Sequence, residues 1–109
     1  MTPKQKLMLF FIHTGFADTQ YALIKHFDRW NFPAELGFNL QPLLNENIII
    51  VSKLDSYGNA FGYSVTEKGK MILFENDFYD DILNYITTLP NARFLLEITE
   101  ALIKKENEE

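Results

Sequence analysis

The chain alternates apolar clusters with polar punctuation, and the period of the pattern changes along it. Residues 7–12 (LMLFFI) are apolar at six successive positions, so a helix through them is apolar on most sides and is packed from several directions. Thr2 and Pro3 suit its cap and first turn, and Gly15 suits a left-handed end. A second helix follows, capped by Asp18 or Thr19, with Leu23, Phe27 and Trp30 on one face. After a turn at 33–37 the pattern predicts a third helix over residues 40–46. Asn39 caps it, Pro42 sits in its first turn, and Leu40, Leu43 and Leu44 form its buried side. Asn47 takes the left-handed position at its end.

The period then drops to two. Residues 48–51 (IIIV) are β-branched, and residues 52–55 continue the strand with polar alternation. Residues 56–59 (SYGN) are a turn signal with Gly58-Asn59 at its centre. Phe61, Tyr63 and Val65 alternate with Gly62, Ser64 and Thr66, which gives a second strand with one apolar face. Phe61 and Tyr63 are expected to cover the core. Tyr57 is open to either a packing or a partner role. Thr66 and Glu67 start a fourth helix through Met71, Ile72 and Phe74. A helix restarting at Asn76 or Asp77 carries the stripe Tyr79, Ile82, Ile86, Leu89. Pro90 breaks it and opens a last helix striped by Leu95, Ile98 and Leu102, whose polar tail from Lys104 onward is expected to fray. The sum is an α+β chain, mainly helical, around one hairpin.

Composition narrows this little. The length of 109 residues suits one domain. The absence of cysteine excludes disulfides, thiolate metal sites and cysteine nucleophiles, and fits a cytoplasmic protein. The longest apolar run is six residues, far below a membrane span, and no signal peptide is expected. Net charge is −5, unevenly spread. Residues 1–70 carry seven Lys/Arg and six Asp/Glu, whereas residues 71–109 carry three and nine. His13 and His26 have no neighbours at metal-ligand spacing, and Glu75, Asp77, Asp80 and Asp81 do not follow a calcium-loop pattern. Glycine-rich phosphate loops and nucleophile turns are absent, so no enzyme and no cofactor are expected.

Three helices, a hairpin and a further helix is the element order of the winged helix-turn-helix domain. Residues 40–49 (LQPLLNENII) resemble the stretch where the third helix of that family gives way to the first wing strand. Residues 63–70 (YSVTEKGK) resemble the Y-x-[LV]-T-x-x-G segment of MarR- and PadR-type transcriptional regulators. The resemblance covers roughly residues 3–75, within an expected winged-helix domain of residues 1–75. Residues 76–109 look like the dimerisation helices appended to such domains. It implies a homodimer that binds duplex DNA, with the third helix in the major groove and the hairpin wing on the backbone. Asn39, Gln41 and Asn45 would face bases. Lys25, Arg29, Lys53, Lys68 and Lys70 would contact phosphates, with Lys4 and Lys6 as further cations. Tyr79, Ile82, Ile86, Leu89, Leu95, Ile98 and Leu102 would form the dimer interface. The third helix carries no Lys or Arg and the wing tip is uncharged. The alternative is therefore a winged-helix module that binds a protein partner and not DNA.

Overall fold

The computed structural model describes residues 1–19, 21, 22, 25, 40–89 and 92–108. Among the described residues the elements with defined bounds follow the order α1 (Pro3–Thr14), α2 (Gln41–Asn45), β1 (Ile49–Leu54), β2 (Ala60–Val65), α3 (Glu67–Leu73), α4 (Phe78–Thr87) and α5 (Arg93–Asn107). The fold is α+β and mainly helical, as the pattern predicts. No helix among the described residues is long and apolar enough to cross a membrane.

Helix α1 is the centre of the core. Thr2 and Gln5 form a reciprocal capping box, which satisfies two orphan N–H groups at its start. Gly15 ends it at φ +79°, with its N–H donating to the Ile12 carbonyl. All six residues from Leu7 to Ile12 are buried. A helix apolar all round needs cover on every side, and here α4, β2 and α3 supply it. Phe10 meets Phe78 at 6.5 Å and the edge of Tyr79 at 5.8 Å between ring centroids.

One ion pair and one histidine–carboxylate contact tie the C-terminal helices back to α1. Lys6 Nζ lies 2.5 Å from Asp81 Oδ2 on α4, and His13 Nε2 lies 3.4 Å from Glu106 Oε2 on α5. The second contact lies in the polar tail that begins at Lys104. Helix α5 continues to Asn107, with Lys104 and Lys105 placed favourably in its last turn.

The two strands pair antiparallel, with Ile49 opposite Val65, Ile50 opposite Ser64 and Val51 opposite Tyr63. Beyond Val51 the register slips twice, leaving Ser52 on β1 and Phe61 on β2 without partners. These bulges correct one expectation. Tyr63 is buried as predicted, but Phe61 is 44% exposed, because the bulge breaks the alternation that would have turned it inward. A third segment joins the sheet. Thr19 bridges antiparallel to Gly62, and the Tyr63 N–H donates to the Asp18 carbonyl (2.9 Å). The Thr19 hydroxyl also accepts from the Ala22 N–H (3.0 Å), so Thr19 acts as the expected cap, and Tyr21, Ala22 and Lys25 are helical. The stripe Leu23, Phe27, Trp30, the turn at 33–37, Asn39 and Pro90 lie outside the described residues, and the cap position expected at Asn39 falls instead at Leu40.

Candidate nucleic-acid interface

The surface that the sequence points to is α2 with the hairpin, and a set of short-range bonds locks the two together. Helix α2 begins without a side-chain cap at Leu40 and has Pro42 in its first turn. Its end is a Schellman motif. The Asn47 N–H donates to the Leu44 carbonyl (3.1 Å) and the Ile48 N–H to the Leu43 carbonyl (2.9 Å). Asn47 sits at φ +59°, the left-handed conformation that the sequence assigned to it.

Chain reversal at Asn47 leads directly into β1, and the start of α3 clamps this junction. The Thr66 hydroxyl shares its one proton between the carbonyl oxygens of Asn47 (2.6 Å) and Ile48 (3.0 Å) and accepts from the Gly69 N–H (3.1 Å). The Thr66 N–H donates to the Ile48 carbonyl (3.1 Å). One threonine thus caps α3 and anchors α2 and β1. Gly69 completes the clamp. A Cβ there would lie 2.4 Å from the Ile48 carbonyl oxygen and 2.6 Å from Val65 Cγ1, so only glycine lets α3 approach the hairpin base this closely. The T-x-x-G spacing of residues 66–69 therefore has a structural reason within this chain.

The turn at the hairpin end is equally well held. The Asp55 carboxylate accepts from the N–H groups of Tyr57 and Asn59, each at 2.9 Å. The Asp55 N–H donates to the Asn59 carbonyl (2.9 Å), and the Gly58 N–H to the Asp55 carbonyl (3.1 Å). Gly58 adopts φ +82°, which needs glycine. The bond from Asn59 is the main cause holding the Asp55 carboxyl below the usual carboxylate range. Asp55 therefore organises the turn instead of continuing the strand. Around it stand three exposed apolar side chains, Leu54 (64%), Tyr57 (88%) and Phe61.

The predicted contact residues divide into three groups. Gln41 and Asn45 are exposed on α2, with the Gln41 amide donating to Asn45 Oδ1 (2.8 Å) one turn on. Lys53 projects from β1 with its aliphatic stem over Gly62, and Lys25 lies 6.0 Å from the Tyr21 ring centroid. Neither lysine forms an ion pair among the described residues. Lys68 and Lys70, in contrast, are engaged within the chain. Lys68 Nζ donates to the Glu46 carbonyl (2.9 Å) and lies 3.6 Å from its carboxylate. Lys70 Nζ is 3.5 Å from Glu67. Lys6 serves α4, as described. Arg29 and Asn39 lie outside the described residues.

The predicted dimer stripe is largely consumed inside one chain. Ile82 and Ile86 are fully buried and Leu95 is nearly so, all in the one core that holds the apolar residues of α1. Tyr79 packs edge-on against Phe10, and its hydroxyl is pushed up by burial and by the charge of Glu106. Leu89, Ile98 and Leu102 are half-buried at the margin of the same core. The stripe is thus corrected to an intrachain seam with a partly accessible margin.

Sequence reasoning missed three features here: the double duty of Thr66, the turn-holding carboxylate of Asp55 and the exposure of Leu54 and Phe61. The T-x-x-G spacing signals the first, and Asp two residues before a turn tyrosine signals the second. Among the described residues no group of three side chains is arranged to hold a metal. Comparison with family models, curated proteins and solved structures finds no match.

Proposed function

We propose that the chain is a winged helix-turn-helix regulator of the MarR/PadR kind that binds duplex DNA as a homodimer. The observation that carries this reading is the Thr66–Gly69 clamp. It fixes α2 to the hairpin base, so a helix with exposed Gln41 and Asn45 and a wing bearing Lys53 meet a target as one preformed unit. Two features add support: the order of the elements, and the bridge from Thr19 to β2, which sets Thr19, just ahead of helical Tyr21 and Ala22, beside the wing. In this reading the amides of Gln41 and Asn45 exchange their mutual bond for base edges, and Lys25 and Lys53 neutralise phosphates. The accessible margin of α4 and α5, with Leu89, Ile98 and Leu102, joins two copies.

A second reading has its own observation. Lys68 and Lys70 already have acidic partners, and the hairpin end is apolar, which favours a protein partner. Titration of a pooled random duplex at several salt concentrations separates the two. The DNA reading predicts that log K falls with log salt at a slope of roughly −3 to −4, from two cations in each of two subunits at about 0.9 per phosphate. Absence of binding at low salt overturns it.

A further inference from the structure

The hairpin end poses a problem for a wing that tracks phosphates. From Leu54 to Phe61 it holds no cation, and its one charged group is the Asp55 carboxylate, kept ionised by two backbone N–H bonds. An anion at the tip repels a phosphate backbone. The same stretch presents Tyr57 at 88% exposure, flanked by Leu54 and Phe61. The backbone that carries them is held in place. Four backbone N–H bonds hold the turn, so little conformational entropy is lost when Tyr57 is engaged. Lys53, which immediately precedes this stretch in sequence, sits on the stem, where it can meet a flanking phosphate while the tip reaches further.

An uncharged aromatic face with apolar flanks and a cation set back on the stem matches the faces of nucleobases, which stack on aromatic rings independently of sequence. An intact duplex hides those faces. We propose that the tip engages nucleobases, with Tyr57 stacking on an unpaired or unstacked base, so that the preferred ligand is DNA carrying a junction between duplex and single strand. This inference rests on the DNA reading above and specifies its substrate.

The test is fluorescence anisotropy with two labelled oligonucleotides, a blunt duplex and the same duplex bearing a single-stranded extension, with 2-aminopurine at the junction in a parallel set. Stacking is worth about 1–3 kcal/mol per base, so the extended DNA is expected to bind roughly tenfold tighter and its 2-aminopurine emission to change on binding. Tyr57→Ala should abolish the preference and Tyr57→Phe should retain it. Tyr57 is almost fully exposed, so neither variant threatens the fold. Equal affinity of the native chain for the two DNAs, or a preference unchanged in Tyr57→Ala, overturns the inference and leaves duplex binding standing. Failure to bind either DNA overturns the DNA reading and this inference with it, in favour of a protein partner.

Discussion

At the scale of single residues, the junction between α2, β1 and α3 depends on atoms with no room to move. A methyl group at position 69 meets a backbone carbonyl, not a flexible side chain that could swing aside. Gly69→Ala should therefore destabilise the fold by about 2–3 kcal/mol, the range of core overpacking, seen as a lower urea midpoint with unchanged slope. A neutral result would mean that α3 can slide away from Ile48. Asn47 offers a conformational test at the same junction. Asn47→Gly should be tolerated, whereas Asn47→Val should cost about 1–2 kcal/mol, because a β-branched residue resists the left-handed region. Equal stability of the two variants would show that the Schellman turn relaxes.

At the scale of elements, the hairpin illustrates both what the sequence makes legible and where it stops. Alternation placed both strands and buried Tyr63 correctly, since a two-residue period maps directly onto a pleated surface. It failed at Phe61, because a bulge is decided by how the strands fit together and leaves no mark on the period. The same limit applies to α4 and α5. Their stripes were visible, but an apolar stripe does not say whose core it enters. Packing of α4 on α1, and of α5 on α4, decided that Ile82, Ile86 and Leu95 turn inward. The contacts of Thr66 were half legible: its cap is local in sequence, whereas its bonds to Asn47 and Ile48 span about twenty residues. The turn gives a pH prediction. Asp55 has a folded pKa below its unfolded value, so its contribution is present above the ordinary carboxylate range and is lost as pH falls through the folded value. Amide resonances of Tyr57 and Asn59 should move together in that acid window and stay fixed in Asp55→Asn. Movement at higher pH, or none, would contradict the assigned bonds.

At the scale of the whole molecule, charge and architecture are divided along the chain. The half that carries α2 and the hairpin is nearly neutral, while the half that carries α4 and α5 is strongly acidic. The acidic half should repel DNA and face away from it. Lys25 and Lys53 form no ion pair among the described residues, and Lys53→Ala should lower the salt slope of duplex binding by about 2 in a dimer. It should leave α2 and its amides untouched. Sedimentation should give twice the chain mass at tens of micromolar, and a monomer would remove the pairing of Leu89, Ile98 and Leu102. The most direct test of the central claim is a map of amide chemical-shift changes as DNA is added to the labelled chain. If α2 and the hairpin act as one preformed unit, residues 41–47 and 53–61 should shift together at the same DNA concentration, with α4 and α5 still. Shifts confined to α4 and α5, or titration of α2 and the hairpin at different concentrations, would contradict it.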